Sequence, residues 1–174
     1  MVIIKTGKLI LRPATMKDAQ DYFECHLDKE AKRNFMHVPK NLNEAKKELG
    51  DSLKEMNKKK PTQEMLAIIF EGDIAGFIWL SDIDYGFLKH KAGVGYGVKE
   101  SFRGKGIGTA ALKAVTDYAF KKYKLQRMAT VTRTFNKPSA RILEKAGYKL
   151  EGILRKNKCK DGEYLDDMLW AKVK

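Results

Sequence analysis

A chain of 174 residues is long enough for one domain with a substantial core, and 43% hydrophobic content excludes an intrinsically disordered protein. Its 35 basic residues outnumber 22 acidic ones, and the net charge of +13 favours polyanionic partners without choosing among a nucleotide cofactor, RNA and a ribosomal surface. The longest apolar runs, such as residues 65–70, are far too short to cross a bilayer, and the opening Met1-Val2-Ile3-Ile4-Lys5 lacks a secretory layout. A single-domain (residues 1–174) cytoplasmic protein with no membrane partner is expected. Cys25 and Cys159 form no CxxC pair, so neither a metal centre nor a disulfide framework is expected.

In chain order, residues 8–12 read as a first strand ended by Pro13. Thr15 and Asp18 then resemble a capping box, and Ala19, Tyr22, Phe23 and Leu27 recur at helical spacing. Asn41 with Glu44 starts a second helix whose apolar stripe is Ala45, Leu49, Leu53 and Met56. Residues 65–70 and 74–80 form a hairpin around Glu71-Gly72-Asp73, and residues 81–91 form a polar loop or arm. A strand over 92–98, a helix over 105–123 and a β-branched strand over 127–132 predict a right-handed parallel crossover. Asn136 and Pro138 open a short helix that Gly147 closes. Residues 148–154 and 164–173 complete an antiparallel pair joined by a charged loop with Asp161-Gly162. The sum is an α/β (mixed α+β) fold, with a central mixed sheet flanked by helices.

Between the strand over 92–98 and the next helix lies Arg103-Gly104-Lys105-Gly106-Ile107-Gly108. Alternating glycines let backbone approach a ligand, and the helix start offers open N–H groups and a positive dipole end. Arg103 and Lys105 add charge, so a diphosphate is the ligand this segment suits. The spacing is neither that of a P-loop nor that of a dinucleotide fingerprint.

This segment, placed after that strand, resembles the signature of the GNAT superfamily of acetyl-CoA-dependent N-acetyltransferases. Leu11-Arg12-Pro13 with Asp18-Ala19 matches the family's opening. Gly95-Tyr96 and Val98 fall at the expected strand positions. Asn136-x-x-Ser139, then Glu144-Lys145-Ala146-Gly147-Tyr148, Leu150-Glu151-Gly152, Arg155, Asp161-Gly162 and Asp166 resemble the RimJ/RimL-like branch, whose members often modify protein N-termini.

The resemblance implies a GNAT-like, mostly antiparallel sheet with a splayed parallel pair. It implies acetyl-CoA as co-substrate, cradled by the backbone of Arg103, Gly104, Lys105, Gly106, Ile107, Gly108 and Thr109. Tyr96, Gly97 and Val98 would pair with the pantetheine arm, with a Val98 N–H polarising the carbonyl. Asn136 would contact the cofactor, and Ser139 would lie near the thiol sulfur and supply its proton. No metal is implied. The acceptor is a primary amine, a protein N-terminus or a small amine such as a polyamine or antibiotic, attacking directly in a ternary complex. A non-catalytic acyl-CoA-binding module is the alternative, because Leu143 stands where relatives carry a tyrosine acid and Gly93 where they carry a carboxylate base. Asp82, Asp84, Glu24, Glu100 and His26 are substitute candidates for that base, and Tyr22, Phe35, Trp79 and Tyr85 are candidate pocket walls. A homodimer and an RNA or ribosome association stay open.

Overall fold

The computed structural model describes residues 3–174; Met1 and Val2, part of the opening read for a leader, lie outside them. The chain runs β1 (Ile4–Thr6), β2 (Leu9–Pro13), α1 (Ala19–Glu24), α2 (Lys29–Asn34), α3 (Leu42–Met56), β3 (Glu64–Phe70) and β4 (Asp73–Ser81). It continues through β5 (Lys91–Val98), α4 (Ile107–Lys122), β6 (Arg127–Arg133), α5 (Lys137–Lys145), β7 (Lys149–Lys160) and β8 (Glu163–Val173). The strands form one 8-stranded sheet in the order β1-β2-β3-β4-β5-β6-β8-β7. Every neighbouring pair is antiparallel except β5 and β6, which the α4 crossover makes parallel. Among the described residues no helix is long and apolar enough to cross a membrane.

Strand alternation divides the core between the two faces. Leu112 and Val115 of α4 and Leu143 of α5 pack with Ile78, Ala92 and Val94 on one side. Ala19, Leu49 and Phe77 form a smaller cluster with α1 and α3 on the other. Local chemistry sets the helix starts. Asn41 Oδ1 accepts the Glu44 N–H at 3.0 Å and begins α3, and Asp28 accepts the Ala31 N–H at 3.0 Å and begins α2. Arg12 clamps the buried Asp18 with two bonds of 2.7 Å, which fixes the chain as it leaves β2.

The structure departs from the sequence reading at three places. The helix starting at Ala19 ends at Glu24, and α2 follows; in its sequence KEAKRN only Ala31 is buried, so no apolar stripe announced it. β1 adds an edge strand paired with β2. The expected charged loop before residue 164 is instead ladder, with β7 and β8 paired as far as Lys160 and Glu163. The tight turn between them puts Asp161 and Gly162 at φ 51° and 84°, a two-residue hairpin geometry that Asp-Gly favours.

Candidate active site

The parallel pairing of β5 with β6 stops after Gly93 and Ala129. Beyond that point the strands part, because β6 stays paired with β8 through Arg133 while β5 stays paired with β4 through Val98. A cleft of about 850 Å³ opens along the gap. The Lys99 N–H donates to Ala75 O at 2.8 Å, which fixes the alternation of the β4–β5 ladder. Residues 97, 95 and 93 therefore bond toward β4, and Tyr96 and Val98 turn their N–H groups toward the gap. Of the three residues expected to pair with a pantetheine arm, Tyr96 and Val98 offer a free edge, while the backbone of Gly97 faces Phe77 on β4.

Side chains alternate the other way. Tyr96 and Val98 pack on the α4–α5 face. Gly93, Gly95 and Gly97 open the opposite face, where a Cβ on Gly95 would lie 2.4 Å from the Trp79 ring and one on Gly97 3.0 Å from Phe35. The absence of side chains lets Trp79 and Phe35 lie directly on the strand as a cleft wall, and both rings, 6.3 Å apart, line the cleft.

The glycine loop closes one end of the cleft. Gly106 caps α4 at φ 77°, a left-handed conformation that an L side chain adopts at a cost of about 1–2 kcal/mol. The Ala110 N–H returns to Gly106 O at 3.1 Å, so the N–H groups of Ile107, Gly108 and Thr109 are left open at the helix start. Gly108 has a different reason to be glycine: its Cβ would meet Ile142 Cδ1 at 3.0 Å, so it sets the approach of α5 to α4. Gly104 lines the cleft, whereas Lys105 turns aside and places its ammonium 5.1 Å from the Phe102 ring. The backbone N–H of Arg103 is used by Glu100 O at 3.1 Å. Its guanidinium grips Asp28 at 2.7 and 2.9 Å and reaches Val98 O at 3.0 Å. Burial raises the Asp28 carboxyl, but the Arg103 and Ala31 donors outweigh it and hold the group below its ordinary range. Arg103 thus ties α2 to the loop while lining the cleft. Gly106→Ala is expected to weaken acetyl-CoA binding about tenfold, read by calorimetry, because about 1.4 kcal/mol of left-handed strain must be met each time the loop forms.

Across the gap, Asn136 Oδ1 accepts the Ser139 N–H at 3.2 Å and caps α5. The Ser139 hydroxyl lies 2.8 Å from the Tyr96 phenol. Burial pushes that phenol up to about 12, against the opposing bond from Ser139, so it holds its proton at neutral pH. Sequence reasoning assigned Tyr96 only a backbone role. Its hydroxyl lies beside Ser139 because β5 and α5 meet in space 43 residues apart, which no local pattern signals.

The other sequence candidates sort by their partners. Glu24 and Asp21 are each 2.6 Å from the Lys99 ammonium, and that hydrogen bond lowers the Glu24 carboxyl. Glu100 is exposed in a 3-10 turn after β5, and Asp84 is exposed in the loop after β4. His26 is buried between Tyr22 and Phe35, donates from Nδ1 to Tyr22 O at 2.8 Å and is not part of the cleft lining. Burial lowers its pKa and keeps it neutral. Tyr22 packs edge-on to Phe77 in the smaller core. Asp82 and Tyr85 lie by a neighbouring cavity.

Residues 8–149 match the acetyltransferase (GNAT) domain family. The chain belongs to the GNAT family. Two N-acetyltransferase relatives from Bacillus subtilis (strain 168) are similar over part of the chain. YjcK is 40% identical over 98 residues, 56% of this chain and 54% of its own length. YdaF is 34% identical over 101 residues, 58% of this chain and 51% of its own. The chain therefore spans about half the length of these curated relatives. The solved RimL ribosomal L7/L12 alpha-N-protein acetyltransferase, in complex with coenzyme A, shares the fold with a TM-score of 0.86 over 99% of this chain and 98% of its own, at 21% identity. In this GNAT protein the splay, the glycine loop and the Tyr96–Ser139 pair converge on one cleft.

Proposed function

We propose that this protein is a cytoplasmic N-acetyltransferase that moves the acetyl group of acetyl-CoA to a protein N-terminal α-amine, by direct attack in a ternary complex. The observation that carries the reading is the Ser139 hydroxyl held 2.8 Å from a buried phenol at a gap edged by the open N–H groups of Tyr96 and Val98. The residues present suit acetyl-CoA. The start of α4 offers N–H donors and a dipole to a diphosphate, and the strand edge of β5 offers a ladder to the amides of the pantetheine arm. Acetyl-CoA supplies the activated acyl group. The chain supplies position: Tyr96 and Val98 N–H groups face the place where a carbonyl oxygen gains charge, and Ser139 donates to the sulfur as it leaves.

An α-amine fits this site better than lysine. Near pH 7.5 roughly a third of an α-amine is neutral against about 0.1% of a lysine amine. That difference of more than about 100-fold, near 3 kcal/mol, favours the α-amine because only the neutral amine can attack the thioester. Calorimetry with acetyl-CoA followed by a peptide assay tests the reading. The kcat/KM for peptides with a free α-amine is expected to exceed that for N-blocked lysine peptides by about 10²-fold. Preference for lysine peptides, polyamines or aminoglycosides would overturn the acceptor assignment, and binding without transfer to any amine would leave an acyl-CoA-binding module.

A further inference from the structure

We infer that the acceptor amine enters through the second cavity, beside Gly93, and that the Asp82 carboxylate there holds its ammonium group and takes its proton. This deepens the acetyltransferase reading and rests on it. The cavity, about 490 Å³, sits where β5 and β6 are still paired, and shares Trp79, Thr130 and Val131 with the donor cleft. The two spaces therefore meet across a common wall. Asp82 is the one carboxylate and Lys91 the one cation among the described residues that line it.

The placement of Asp82 follows from the glycine. A Cβ on Gly93 would meet the Ser81 hydroxyl at 2.4 Å and Asp82 Oδ2 at 3.2 Å, so the strand that lacks a side chain there has the carboxylate of the residue just after β4 lying over it. Ser81 Oγ donates to Asp82 Oδ2 at 2.9 Å and fixes its rotamer. Asp82 itself adopts φ 56°, a left-handed conformation away from glycine that places this side chain at some energetic cost. Of the other acids near the splay, Lys99 holds Asp21 and Glu24 and Arg103 holds Asp28, while Glu30 lines the donor cleft and not this cavity. Among the described residues, Asp82 has only the Ser81 hydroxyl as a side-chain partner. Gly93 and Tyr96 are three steps apart along the strand, about 10 Å, which is room for an ammonium and one or two bridging waters.

The step balances. Asp82, directly or through water, removes one proton from the ammonium, and the freed lone pair forms the C–N bond to the acetyl carbon. The C–S bond breaks and Ser139 gives its proton to the sulfur. The nitrogen's second proton replaces the one that Ser139 gave, and Asp82, being exposed, releases its proton to solvent. The net products are the amide, the free thiol and one proton.

The test compares wild type with Asp82→Asn and Asp82→Gly, both compatible with the left-handed backbone, so that one variant serves if the other misfolds. The probes are a peptide with a free α-amine and an arylamine, which reaches the site already neutral. For the peptide at pH 6, where only about 1–2% of an α-amine is neutral, kcat/KM is expected to fall by up to about 50-fold in both variants, with an unchanged acetyl-CoA Kd and a much smaller loss toward the arylamine. Partial recovery in Asp82→Glu supports the same role. Wild-type peptide rates in either folded variant, or equal losses toward both probes, overturn the proposal while leaving the acetyltransferase reading intact. A wild-type protein that binds acetyl-CoA and acetylates neither probe overturns both.

Discussion

Asp167→Ala is expected to destabilise the fold by about 3–5 kcal/mol, read as a lowered urea midpoint. Asp167 is 0% exposed and Arg133, which donates Nη1 to its Oδ1, is 6% exposed. Asn157 Nδ2 donates to the other carboxylate oxygen at 2.7 Å. The register sets Arg133 opposite Asp167 on β8, and Asp167 opposite Leu154 on β7, so one carboxylate joins three strands at the far end of β6, four residues past its parting from β5. Removing it leaves a guanidinium buried, with its Nε already lacking a partner. The cost comes from that stranded charge rather than from the pair's own worth, which yields a second expectation. Replacing both partners with leucine is expected to recover most of the loss, as an apolar pair leaves no charge to solvate. An Asp167→Ala midpoint within the error of wild type would mean that the strand junction is open to water. Arg133 also lines the donor cleft, so the single variant is expected to lose acetyl-CoA affinity along with stability.

The parts that were legible in the sequence are those carried by local chemistry. Asn41 with Glu44, Pro138 before Gly147, and the glycine loop state their geometry through capping, ring constraint and positive φ, and α3, α5 and the start of α4 stand where those signals put them. The parallel pair was legible because a strand, a helix and a strand have one favoured handedness. Whatever depends on the third dimension was not. The run Arg155 to Lys160 looks like a loop by charge, yet it is strand because β8 pairs with it across the Asp161-Gly162 turn. Gly108 reads as room for a ligand, and its nearest neighbour is Ile142. Arg103 reads as charge beside the glycine loop, and its pairing with Asp28, 75 residues away, left no trace in that segment. Gly93 reads as a missing base, and the loop after β4 lays Asp82 over it. In each case the deciding partner comes from another element, so residue type and spacing along one segment held no record of it.

Ser139→Ala is expected to lower kcat about 10²-fold while acetyl-CoA affinity stays near wild type, because the role proposed for the hydroxyl is a proton delivered as the sulfur leaves. A purely structural Ser139 would behave otherwise. Asn136 caps α5 through the Ser139 backbone N–H, which alanine retains, so helix stability should be untouched. The Tyr96 phenol gives the role a second handle. Because burial keeps it protonated well above neutral pH, it can donate to Ser139 Oγ and leave the serine O–H free to point at the sulfur. Tyr96→Phe removes that donor without disturbing the strand edge, and a smaller loss in kcat is expected than from Ser139→Ala. In the proposed relay the two residues work together, so their effects should not add: the double variant is expected to be no slower than Ser139→Ala alone. Additive losses would mean that phenol and hydroxyl act separately. A wild-type kcat in Ser139→Ala would reduce the pair to a packing contact and move the proton source to water, since Leu143, buried in the core on α5, carries no group that could replace it.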